Sequence, residues 1–210
     1  LAAVRALSPE QAAEGRQVTA QGIVTYWDPA WRNLFISDGA NSVFVLGYDG
    51  DAALAFGDRV EITARTDRGG YAPLLADPIL RVLGRGHVPD PPRVPFDELA
   101  DGAHDAQWVA LSGVVRLVRA GEHDHAFIEL VSGGTRIVAQ VPDVPAASLP
   151  HYLVDSRVDL AGVAGAFINA DGQLTGIQLF VPSMLRVGVL EAAPPDLVVA
   201  PAVDVGRAGA

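Results

Sequence analysis

The chain contains two copies of one unit, and this internal repeat constrains the fold more than any other feature. The run Val18-Thr-Ala-Gln-Gly22-Ile-Val24-Thr-Tyr26 returns as Val109-Ala-Leu-Ser-Gly113-Val-Val115-Arg-Leu117. Asp58-Arg59-Val60-Glu61-Ile62 returns as Ser156-Arg157-Val158-Asp159-Leu160, and Pro78-Ile79-Leu80-Arg81-Val82 as Ser183-Met184-Leu185-Arg186-Val187. Echoes in the same order mean that the halves share a scaffold. At 210 residues each half is long enough for its own core. The expected division is a first unit over 1–87, a proline-rich linker over 88–95, a second unit over 96–191 and a linker-like tail over 192–210.

Period-two alternation predicts strands. Val18, Ala20, Gly22, Val24 and Tyr26 fall on one face of the first strand, which places Trp27 on the other. Gly22 and Gly113 weaken a flat strand but suit a bend where a small barrel curls over. Leu34–Ser37 and Ser42–Leu46 flank the turn residues Asp38-Gly39-Ala-Asn41 and read as a hairpin, as do 126–131 and 135–140 in the second copy. Helical turns are expected over 51–56 and 145–152. Further strands are expected near 59–65 and 158–166, with closing strands near 79–83 and 177–187. Ser8-Pro9-Glu10-Gln11 carries a capping hydroxyl, a first-turn proline and a glutamine at the third position, a helix start echoed near Pro95–Leu99. Three strands, a short helix and two more strands match an OB-fold barrel. The predicted fold is mainly β: two tandem OB-like five-stranded barrels, each with a leader helix. Other small barrels, SH3-like ones among them, are compatible with the same pattern.

The chain has no lysine and no cysteine, and its net charge of −10 counts against polyanions as main partners. Without cysteine there is no disulfide, thiol nucleophile or zinc–thiolate site. The single methionine is Met184, so a start at Leu1 suggests a processed or excised piece. No stretch reaches the ~18 apolar residues of a membrane span.

The segment Gly22-Ile-Val-Thr-Tyr26-Trp27-Asp28-Pro29-Ala30-Trp31-Arg32-Asn-Leu34-Phe35-Ile36-Ser-Asp38-Gly39 resembles one in the N-terminal extracytoplasmic sensor region of some bacterial membrane-bound sensor histidine kinases. The resemblance is tight over about 18 residues and loose over about 190. It implies a periplasmic or otherwise extracytoplasmic module, with a membrane anchor and kinase machinery beyond Ala210. The chain itself has no phospho-accepting histidine motif and no nucleotide lid, and the resemblance names no ligand.

Trp27 and Trp31 are the candidate binding rings, because exposed indoles leave a large apolar area uncovered. Either the leader helix or neighbouring barrel covers them, or a ligand does, with Asp28 and Arg32 supplying polar contacts. Arg32 could equally pair with Asp28 and brace the loop. In the second copy His123 and His125, at a spacing of two, could hold zinc, nickel or copper with a nearby carboxylate, and His104 or His151 could serve as third ligand. No G-x-S-x-G elbow, P-loop or H-E-x-x-H occurs. Gly69-Gly70 and Gly162-Val-Ala-Gly165 read as strand and turn glycines, and Asp49, Asp51 and Asp58 as turn chemistry. No catalytic residue and no cofactor are therefore expected. The expected partner is a small molecule or an extracytoplasmic protein. Single-stranded nucleic acid is the alternative, weakened because Arg59, Arg65, Arg68, Arg81 and Arg85 are diluted by 25 acids. A structural spacer or homodimerisation unit is the third reading.

Overall fold

The computed structural model describes residues 1–50, 53–100, 102–132, 134–168 and 174–195, the side chains of residues 100 and 168 excepted. The expected tail lies, from residue 196 on, outside the described residues.

Two short helices, α1 (Ala2–Arg5) and α2 (Pro9–Ala12), lead into five strands: β1 (Gln17–Asp28), β2 (Asn33–Ser37), β3 (Ser42–Leu46), β4 (Asp58–Asp67) and β5 (Leu74–Arg85). They close into a barrel in the order β1-β2-β3-β5-β4, with β3 and β5 parallel and every other pair antiparallel. The capping box at α2 forms as the sequence predicts. Gln11 N donates to Ser8 Oγ, and the Gln11 side chain accepts from Ser8 N at 2.9 Å.

After α3 (Phe96–Ala100) the second copy contributes β6 (Trp108–Ala120), β7 (Ala126–Ser132), β8 (Thr135–Val141), β9 (Arg157–Ile168), β10 (Leu174–Phe180) and β11 (Val187–Glu191). The ring closes because β10 pairs with both β8 and β9, while β11 extends the far end of β9. Tandem OB-like barrels are thus present. Two helical turns, Ala146–Ser148 and His151–Leu153, fill the expected 145–152 segment. In the first copy the described residues 53–56 form no helix, and 51–52 lie outside the description.

The third echo is where the copies diverge. Pro78–Val82 sits inside the continuous β5, whereas Met184–Arg186 forms a 3₁₀ turn that splits the equivalent strand into β10 and β11. Proline accounts for part of the break, since Pro182 has no N–H for a ladder. The linker is docked rather than free. Val94 N donates to Ala110 O, Ala110 N to Pro92 O, and Arg93 grips Asp159 through two bonds of 2.7 and 2.9 Å.

Gly22 and Gly113 permit close strand approach: a Cβ would lie 3.2 Å from Ser37 O at the first and 3.0 Å from Val131 O at the second. The register irregularity comes a little later, between Val24 and Tyr26 in β1 and between Val115 and Leu117 in β6. Both copies bulge at the equivalent residue, Thr25 or Arg116. A bulge adds one residue and so inverts every later side chain. This corrects the alternation drawn from sequence. Trp27 turns into the first barrel's core, packing edge-on against Tyr48 at 5.4 Å, and Tyr26 turns outward. Thr25 Oγ1 donates to Phe35 O at 3.3 Å and fixes the bulge.

Each barrel has its own core: Val24, Leu34, Ile36, Val60 and Ile62 in the first, Leu111, Ile128, Leu130, Val158 and Leu160 in the second. A third cluster lies between them and comprises Tyr26 and Phe35 from one barrel with Trp108, Val163 and Phe180 from the other.

Candidate functional site

The residues that the bulge turns outward meet the second barrel. Asp28 follows Tyr26 on the same face, and its carboxylate is almost fully buried. One oxygen caps the following loop, accepting from Ala30 N at 3.0 Å and Trp31 N at 3.3 Å. The other accepts from His125 Nε2 at 2.7 Å, Gln140 Nε2 at 3.3 Å and the Tyr26 hydroxyl at 3.4 Å. Five hydrogen-bond partners converge on one buried carboxyl group.

His125 sits at the end of the β6–β7 loop, with Nδ1 2.8 Å from Glu122 O and Nε2 on Asp28. Both ring nitrogens are therefore engaged, and the His125–Asp28 pair is buried, with both side chains 1% exposed. Trp31 lies flat on the His125 ring, 4.2 Å between centroids and 3° between planes, a stacked contact that covers the ring face. Gln140 ties the group together by donating also to the Tyr26 hydroxyl at 3.2 Å, while its oxygen accepts from Gln178. Burial, then the adjacent Asp28 carboxylate, push the Tyr26 phenol well above the ordinary tyrosine range.

Beside this knot, the seam opens into a cleft of about 350 Å³. An aromatic row crosses it: Phe44 and Phe35 at 5.0 Å, Phe35 and Phe180 at 5.3 Å, Phe180 and Phe167 at 6.4 Å. The β4–β5 loop, 70–73, borders one side. On the rim Arg5 of α1 reaches Asp105 of the other barrel at 3.2 Å, and Asp105 also accepts from Ala166 N at 3.0 Å. In the same inter-barrel cluster, Phe56 packs on Trp108 at 5.3 Å, and Arg186 from the strand break lies over Phe56 at 4.6 Å.

Of the residues singled out by sequence, Asp28 and Trp31 belong to the seam. Trp27 does not, because the bulge sends it into the core. Arg32 is exposed with φ 54° and is not among the partners of Asp28, whose acceptor capacity the loop amides and the second barrel have taken. The bracing pair is therefore replaced by Asp28–His125. The histidine pair also separates. His123 and Asp124 both have positive φ, so the loop turns, leaving His123 exposed while His125 goes inward with both nitrogens engaged. His104 faces Glu98 and Gln107, and among the described residues no group of three or more His, Cys, Asp or Glu could hold a metal. Sequence reasoning missed Tyr26, Gln140, Phe167 and Phe180. Phe180 and Gln140 each lie on a strand with no local motif, and nothing but the inter-barrel packing brings them to Asp28.

No protein-family model matches the chain, and no curated protein matches it. Solved structures do. An aspartyl-tRNA synthetase from Entamoeba histolytica is 19% identical over 48% of this chain and 21% of its own, with a TM-score of 0.39. A putative aspartyl-tRNA synthetase from Leishmania major Friedlin is 17% identical over 51% and 22%, with a TM-score of 0.40. A murine DNA-binding protein bound with double-stranded DNA is 13% identical over 84% and 97%, with a TM-score of 0.38. The region shared with the two synthetases is little more than a fifth of their length.

Proposed function

We propose that this chain is a non-catalytic sensory or interaction module whose input is the occupancy of the seam between its two barrels. The observation that carries this reading is the aromatic cleft of about 350 Å³, built from both barrels and set against the buried Asp28–His125 pair. That volume is at the small-molecule end of ligand pockets. An occupant there touches both barrels at once, so binding energy is coupled to their relative placement. The resemblance of residues 22–39 to the sensor region of membrane-bound histidine kinases supports an extracytoplasmic position and a signalling context. The test is a thermal-shift screen of small metabolites on the chain and on Phe167→Ala, a half-exposed cleft wall. A saturable shift that the variant loses supports the reading. A screen with no shift, or shifts that the variant keeps, refutes it.

A second reading, single-stranded nucleic-acid binding, draws on the OB topology, for which that is a frequent use. Its electrostatics are poor. Arg81 is engaged by Glu61, Arg85 by Asp58 and Arg65 by Gly15 O, so much of the first barrel's basic face is already neutralised or occupied. Anisotropy of a labelled oligonucleotide at low salt decides: saturable binding that weakens steeply with salt would establish this reading in place of the first.

A further inference from the structure

Resting on the seam reading, we infer that the cleft takes an uncharged planar heteroaromatic ring, such as a nucleobase-type or aromatic-amide group. The walls set the shape. Phe35 and Phe44 come from one barrel and Phe167 and Phe180 from the other, with Trp31 and, in the β4–β5 loop, Pro73 also on the lining. A continuous aromatic row shared by the two barrels favours a flat π-system over an aliphatic chain of equal volume, since offset and edge-on contacts add to area burial.

The charges set the second condition. Arg5 and Asp105 are the two charged side chains on the lining, and they are paired with each other. Asp105 is further held by Ala166 N. Paired with each other, Arg5 and Asp105 offer neither a ligand anion nor a ligand cation an unopposed counter-charge. Neither is favoured over a neutral ring.

The free polar groups set the third. Gln140 has both amide hydrogens and its oxygen engaged. Asn33 also lines the cleft, and among the described residues its side-chain amide has no hydrogen-bond partner, nor has the Trp31 indole N–H. An amide offers a donor and an acceptor side by side, the complement of the lactam or amino-imine edge of a heterocycle. The cleft volume of about 350 Å³ suits one ring system with a small substituent.

The experiment titrates the chain, by tryptophan fluorescence and thermal shift, with neutral heteroaromatic fragments that include adenosine, uridine and nicotinamide. Benzoate, cyclohexanecarboxamide, adenosine monophosphate and a short oligodeoxyadenylate run alongside. The expected result is saturable binding of at least one neutral heteroaromatic, no tighter for the monophosphate than for the nucleoside. Asn33→Ala and Phe167→Ala should each weaken it by about 2- to 10-fold. Both side chains are at least partly exposed, so both variants should fold. Tighter binding of the oligonucleotide than of the nucleoside overturns the single-ring ligand and supports the nucleic-acid reading in its place. Binding of benzoate or cyclohexanecarboxamide as tight as any heteroaromatic, lost in Phe167→Ala, overturns the ligand class while the seam remains a binding site. A complete absence of binding across the panel overturns the class, and a metabolite screen that also fails removes the seam reading with it.

Discussion

Replacing Asp28 tests the seam most directly, because one side chain there serves both its own loop and the neighbouring barrel. In Asp28→Ala the buried His125 loses its carboxylate partner, and Gln140 and Tyr26 lose an acceptor. Removing one member of a buried ion pair costs about 3–5 kcal/mol, most of it the penalty of leaving the other charge buried. His125→Ala should cost a similar amount, since it strands the carboxylate and uncovers Trp31. Removing both takes the charge out of the seam altogether, so the double variant should lie well below the sum. We expect a coupling energy of at least about 1.5 kcal/mol, the scale of one charge-assisted hydrogen bond. Urea unfolding followed by tryptophan fluorescence gives each corner of the cycle. Because Trp31 reports the seam and Trp27 the first core, it also shows whether the barrels come apart before either unfolds. Additivity within about 0.5 kcal/mol would refute the pair as described, and His125 would then be a packing residue that happens to lie near a carboxylate.

The Tyr26 phenol is held above its ordinary range in the folded state by burial and by Asp28, so the unfolded chain loses this proton first as pH rises. Stability from this group is complete below about pH 10 and falls above it, and Tyr26→Phe should flatten that decline in a pH series of melting curves. At acid pH, Asp38 acts with the opposite sign. Partial burial opposes ionisation, but the Asn41 and Ala40 amides and the terminal ammonium outweigh it, so its contribution disappears as pH falls below about 4, and Asp38→Asn should remove that part. Gly162→Ala would place a Cβ 2.7 Å from Leu179 Cγ and 2.8 Å from Phe180 O, and should cost about 1–3 kcal/mol in chemical denaturation. Gly176→Ala, with nothing within 4 Å, should stay within about 0.5 kcal/mol of the parent. Ser8→Ala removes one side of a complete capping box and should lower stability by about 1 kcal/mol in the same assay.

Most of the architecture was legible because it repeats. Two copies of an alternating pattern agree on which residues are buried, and the hairpins fell within a residue or two of their predicted ends. Orientation beyond the bulge was not legible. Strict alternation carries Tyr26 inward, and nothing in Val24-Thr25-Tyr26 announces the added residue. The second copy hides the same event, since Arg116 is charged and Leu117, 46% exposed, reads as a core residue by pattern. The site was half legible: Asp28 and Trp31 stood out by type, but their partners lie about a hundred residues away. His125 was noticed for the wrong chemistry. A histidine two residues from another suggests a ligand set, and only the turned backbone at His123 and Asp124 shows that they part.

The shared bulge gives the chain a polarity. One barrel presents its outward β1 face, and the other receives it on a different surface, so the contact is heterologous and could in principle propagate. Propagation stops in the residue code. Counting from Gly22 and Gly113, Arg119 occupies the place of Asp28 and Glu122 that of Trp31. Arg119 folds over Phe127 at 4.2 Å on its own barrel. A further copy docking there would meet a cation where its histidine needs an anion. The equivalent place on the second barrel thus carries the opposite charge, so the two copies are not interchangeable partners.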